Sequence, residues 1–183
     1  MAEPNTALRA MHDVGLAAWF GGSMMGAAGL NPAAEVEGTN KSAARIASVG
    51  WKKWTPINAA AIGLHLAGGA GLAVVNWRRV GLQKGVFAST LAKTALTGAA
   101  LAATAYARML GKKVELASSP DEEATSESES HPVPLGTAQR KLSIVKWTIP
   151  ALTGAIEVLN SLHGEQQRPS EQARGRLRRL IPA

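Results

Sequence analysis

A chain of 183 residues with no cysteine, a formal net charge of +7 and a mean hydropathy near zero excludes disulfide scaffolds, thiolate chemistry and Cys-type zinc sites. Its cations gather in short groups beside apolar runs (Lys52–Lys53, Arg78–Arg79, Lys112–Lys113, Arg174 to Arg179), with no interleaved aromatic platform. That pattern argues against nucleic acid as a partner and for anionic lipid headgroups.

Four weakly apolar, Ala/Gly-rich stretches set the expected architecture: 14–34, 54–77, 86–107 and 147–163. Each approaches the ~20 residues that a helix needs to cross hydrocarbon. The expected fold is therefore all-α: a four-span transmembrane helical bundle with a disordered acidic loop and a basic C-terminal tail. An alanine-rich soluble bundle is the competing fold, because the 34 alanines insert less strongly than leucine.

In chain order, residues 1–113 read as a three-helix membrane region. The first span ends by Asn31–Pro32, since the residue before a proline is biased away from helix. A cleaved signal peptide competes for this run, but Glu3, Asp13 and a lone Arg9 make a poor leader, so it reads as a retained helix. Residues 35–53 form a mixed loop with room for an interfacial helix across Lys41–Trp54. The second span opens at Trp54-Thr55-Pro56, proline suiting a first helical turn, and closes at Trp77-Arg78-Arg79. The short link to the third span implies an antiparallel helical hairpin.

Residues 114–145, with the Ser/Glu tract Ser118 to Ser130, lack an apolar period and read as disordered. Residues 146–163 carry the fourth span, interrupted by Glu157 and Asn160, and 164–183 a basic juxtamembrane tail that favours anionic lipid. Lys53-Trp54-Thr55-Pro56 and Lys146-Trp147-Thr148-Ile149-Pro150 echo each other, either by duplication of a two-helix unit or by shared membrane-entry chemistry. The five arginines of the tail favour a cell-membrane protein with both termini cytoplasmic, against the basic first loop.

Helices in lipid associate through small residues and hydrogen bonds. Gly22 and Gly26 make one such pair; Ala59–Gly63 and Ala67–Gly71 repeat the spacing; Ala95, Ala99, Ala103 and Ala107 form a stripe. Such faces suit a tight bundle, other membrane subunits or a homo-oligomer. Charged residues at membrane depth are default functional candidates: His12, Asp13, His65, Lys93 and Glu157. At 1.5 Å per residue, His65 and Glu157 lie about 15–16 Å past Trp54 and Trp147, and Lys93 lies about 10 Å past Val86. A Lys93–Glu157 pair with His65 above it is sterically allowed, as a structural neutralisation or as a proton- or ligand-binding site.

The run His12-Asp13-Val14-Gly15-Leu16-Ala17-Ala18-Trp19-Phe20-Gly21-Gly22 has a His-x6-Trp-x-Gly-Gly pattern. It resembles the opening helix of copper-resistance-D-like proteins and related small bacterial four-helix membrane families. The resemblance implies metal or haem ligation at His12, with His65 as the other candidate ligand. From the residues themselves no cofactor is expected, since His12 is placed near the membrane surface and His65 near the midplane. No catalytic arrangement or phosphate loop is legible. The leading function is a non-enzymatic accessory or scaffold subunit of a membrane assembly; the rivals are a small transporter or ligand/proton-binding protein using His65, Lys93 and Glu157, and a haem- or metal-binding protein.

Overall fold

Alanine has the highest helix propensity of any residue, and a computed structural model, which describes residues 5–36, 38–77, 84–118 and 135–166, contains helices and no strands among them. The helices are α1 (Thr6–Met25), α2 (Asn31–Glu35), α3 (Asn40–Val75), α4 (Lys84–Ser118) and α5 (Leu135–Gln166). A single wide π turn, Gly26–Leu30, joins α1 to α2 without a break. The first helix therefore does not end at Asn31–Pro32. A helical proline presses its ring on the carbonyl four residues back, and the wider turn, with Asn31 N donating to the Gly26 carbonyl, makes room for Pro32.

The three later helices overrun their expected boundaries. Residues 40–53 are not a loop but the first third of α3, started by Thr39, whose hydroxyl accepts from Ser42 N at 3.1 Å. Gly38, at φ +82°, supplies the left-handed turn just before that cap. Pro56 accordingly lies inside α3 and Pro150 inside α5. Near both, threonine hydroxyls bond back to carbonyls: Thr55 to Trp51 at 2.7 Å, Thr148 to Ile144 at 3.3 Å and Thr153 to Ile149 at 2.9 Å. Residues 114–118 and 135–145, expected to be disordered, are helical; 119–134, the tail from 167 and the Arg78–Arg79 pair lie outside the described residues.

Helix α1 packs chiefly on α3, and α4 chiefly on α5; α1 also meets α5, and α3 touches α4 more sparsely. The pairings Gly15–His65, Gly22–Trp54 and Gly26–Trp51 make α1 and α3 antiparallel. One core cluster joins Leu16 and Trp19 of α1, Ala100 of α4 and Ile149 and Ile156 of α5. A second joins Ala44 of α3, Leu110 and Val114 of α4 and Ala138 of α5.

Three helices contain stretches long and apolar enough to cross a membrane: Lys41–Val75, Val86–Leu116 and Gly136–Leu162. The N-terminal helix is not among them. Only 17%, 6% and 22% of those apolar windows is buried inside the protein, so most of their apolar surface points outward.

The α1–α3 contact is closest at Gly15, where an added Cβ would lie 2.5 Å from the Ala61 carbonyl oxygen and from His65 N. Backbone cannot retreat like a side-chain tip. Gly15→Ala should therefore lower unfolding stability in detergent by about 1–3 kcal/mol, whereas Gly63→Ala, with nothing within 4 Å, should leave it unchanged or slightly higher.

Candidate functional site: a polar seam inside the bundle

The polar groups of this chain collect where helices meet. His65, on α3, is 2% exposed. Its Nδ1–H donates to the His12 carbonyl at 3.0 Å, and its ring lies against the His12 ring with centroids 4.2 Å apart. His12 Nδ1 in turn donates to Asp13 Oδ1 at 2.9 Å. Trp19, fully buried, meets the His65 ring edge-on at a centroid distance of 6.2 Å. Its Nε1–H donates to Thr104 Oγ1 of α4 at 3.2 Å, so one side chain ties α1 to both neighbours.

Across the bundle, Lys93 Nζ of α4 donates to Asn160 Oδ1 of α5 at 3.3 Å. The bond that Lys93 makes is to Asn160 rather than to Glu157. Glu157 Oε1 and Asn160 Nδ2, one helical turn apart on α5, are buried without a hydrogen-bond partner.

His12 is not at a different depth from His65, as its place in the sequence implied. Helix α1 begins at Thr6, and its first turns lie beside Gly68–Gly71 of α3: Gly68 faces Leu8 and His12, and Gly71 faces Leu8. The two rings, tilted 40° to each other and in direct contact, do not fit a haem held between them. Two metal–nitrogen bonds of about 2 Å each would separate the ring nitrogens by about 4 Å and the centroids by more. Nor do three His, Asp or Glu side chains converge as a metal site requires, among the described residues.

The packing residues divide. Gly22 and Gly26 do not face each other's copies across a glycine pair; they receive the Trp54 and Trp51 rings, which occupy the space a Cβ would need. Trp51 is fixed further by its Nε1–H, which donates to Asn31 Oδ1 at 3.0 Å. On α4, Ala103 and Ala107 pack against the first core cluster while Ala95 and Ala99 are exposed. Four residues advance a helix by 400°, so a four-residue stripe drifts about 40° per step and leaves the interface.

Gly15, Trp19, Thr104 and Gly68 were not singled out as packing or site residues from the sequence. The signal was present: Leu8, His12, Gly15, Trp19, Gly22 and Gly26 are spaced 4-3-4-3-4, and Trp51, Trp54, Asn58, Ala61, His65 and Gly68 are spaced 3-4-3-4-3. These are heptad-type seams, written in glycine, tryptophan and histidine rather than in leucine.

The fold and seam define an all-helical protein with three apolar helices of membrane-crossing length, a fourth helix closing the bundle, and polar groups gathered inside. Compared with protein-family models, curated proteins and solved structures, the chain matches none. The likeness of the first helix to copper-resistance-D-like proteins thus rests on those eleven residues alone.

Trp19→Phe and Thr104→Val each remove one end of a buried hydrogen bond while keeping most of the volume. In a double-mutant cycle the pair should couple by about 0.6 kcal/mol, the average for such bonds in a membrane helix bundle, and by no more than about 1.7. Unfolding in mixed detergent measures it.

Proposed function

We propose that this chain is a four-span, non-enzymatic integral membrane protein that acts as an accessory or scaffold subunit of a membrane assembly. The observation that carries this reading is the apolar surface that the long helices turn outward. Large apolar side chains point outward along every long helix: Ile57, Leu64 and Leu66 on α3, Phe87, Leu91 and Met109 on α4, Ile144 and Val158 on α5. The few polar groups at depth, His65, Thr153, the Trp19–Thr104 bond and the Lys93–Asn160 bond, lie inside. Water disfavours apolar surface left open in this way; hydrocarbon does not. Extended apolar surface left open on this scale marks a membrane or a partner.

Helix α1 joins as the fourth span by riding on α3. Its small and polar inner face is satisfied by α3, α4 and α5, which reduces what it must itself offer to lipid. The accessory role is supported by an exposed small-residue face on α4, formed by Ala95, Gly98, Ala99, Ala102 and Ala105. Gly98 has nothing within 4 Å of the place a Cβ would occupy. Such a face lets another helix approach closely. Both termini are assigned to the cytoplasm of a cell membrane, and the basic tail to anionic lipid.

The second reading is a proton- or ligand-binding membrane protein, favoured by the unpartnered Glu157 oxygen beside the Lys93–Asn160 bond. On that reading Glu157→Gln abolishes pH-dependent uptake into liposomes; on the accessory reading uptake is absent and the substitution changes nothing.

The unfused chain should pellet with membranes and resist alkaline carbonate, requiring detergent for release. Recovery as a discrete particle in the high-speed supernatant without detergent would overturn the membrane reading. In this cysteine-free chain, Ala99→Cys should be joined to its copy in a second chain by a disulfide under an added thiol oxidant in membranes, whereas Ala100→Cys, fully buried, should not.

A further inference from the structure

Between the two core clusters the four helices leave a cavity of about 940 Å3. One end is formed by Trp19, Ile62 and Ile149, the other by Ala44, Val114 and Leu142. The volume lies at the upper end of the ~300–1,000 Å3 typical of small-molecule sites. Its wall combines two features that packing alone does not require.

The first is aromatic. Trp19, Trp51 and Trp54, three of the five tryptophans in the chain, all line the cavity. The second is charge. Lys52, Arg108, Lys112, Arg140 and Lys146 line the cavity against only Glu35 and Glu115, with Lys112 and Glu115 within 3.6 Å of each other.

The cations cluster at the level of Trp51 and Trp54, about 16–21 Å along α3 from His65, whereas Trp19, Ile62 and Ile149 lie toward the bundle's middle. That is the gradient of a lipid: charged at headgroup depth, apolar further in. The sparse contact between α3 and α4 leaves the side entrance such a molecule needs.

We infer that the cavity holds one acidic glycerophospholipid, its phosphate among Arg108, Arg140 and Lys146 and one acyl chain directed at Trp19, Ile62 and Ile149. A lipid site here rests on the membrane reading given above, which fractionation tests by itself.

The test uses the full chain purified in neutral detergent and follows tryptophan fluorescence. The probes are phosphatidylglycerol with dibrominated acyl chains, the matching brominated phosphatidylcholine, and inorganic phosphate. Brominated phosphatidylglycerol should quench at far lower concentration than phosphatidylcholine and saturate at one lipid per chain. Arg108→Gln and Arg140→Gln, both exposed positions, should each raise the half-quenching concentration about fivefold, as expected of a cation worth about 1 kcal/mol near an anionic headgroup. Ala47→Phe, which fills the cavity from α3, should abolish saturable quenching while the protein stays helical.

Equal quenching by the two lipids, or undiminished quenching in Ala47→Phe, overturns the proposal. Thermal stabilisation by inorganic phosphate matching that of phosphatidylglycerol also overturns it, by assigning the cations to a small anion. A chain that fractionates with membranes yet lacks lipid preference loses this inference alone; one that stays in the supernatant loses the membrane reading as well.

Discussion

Two backbones in direct contact govern this structure. At Gly15 and Gly68 helices α1 and α3 approach so closely that a single methyl group would strike main-chain atoms. Dispersion attraction falls steeply with distance, and without a hydrophobic drive between helices in lipid it becomes a principal source of association. That proximity brings the His12 carbonyl within reach of the His65 ring and lets the two imidazoles meet at a tilt. It also places Trp19 at the centre, where it reaches Thr104 on α4. Farther along, large rings fill what glycines vacate, Trp54 over Gly22 and Trp51 over Gly26. The seam is a size-for-size complement, small against large at each step.

The same seam explains how an N-terminal helix that is not apolar enough to count as a span belongs to an otherwise apolar bundle. Its inward residues, Gly15, Leu16, Trp19 and Ser23, are buried by neighbours. Arg9 and Asp13 lie four residues apart on α1, the spacing at which opposite charges support each other along a helix. The three long helices, by contrast, keep little of their apolar surface for one another. Their mutual contact is concentrated in two core clusters with open space between. A bundle stitched at two levels keeps an interior large enough for a guest.

The helical class and the seeds of all three apolar helices were legible, because an alanine-rich apolar run of that length is far too long for a strand. Helix ends were not. Residues 40–53 look like a polar loop by composition, yet alanine, lysine and serine extend a helix readily once Thr39 caps it and α2 covers it. Pro56 and Pro150 read as helix starts; both sit inside long helices instead, and no local rule distinguishes the two cases. That His12 is a neighbour of His65 was not legible, because the first apolar run starts at Val14 whereas the helix starts at Thr6. The α1–α3 seam was missed for a different reason: its heptad spacing is carried by residues that a hydropathy reading scores as neutral.

The π turn at Gly26–Leu30 has a consequence for how this chain tolerates change. It holds one residue more than an α-helical path of the same rise, and one extra residue turns everything after it by about 100°. Asn31 is therefore aimed at Trp51 by a surplus residue rather than by the phase of α1. A deletion anywhere in that stretch would restore ordinary winding and swing Asn31 and Glu35 to another side of the helix, without disturbing Leu8 through Gly22. The two halves of the N-terminal arm are thus clocked independently, a hinge in rotation rather than in bend.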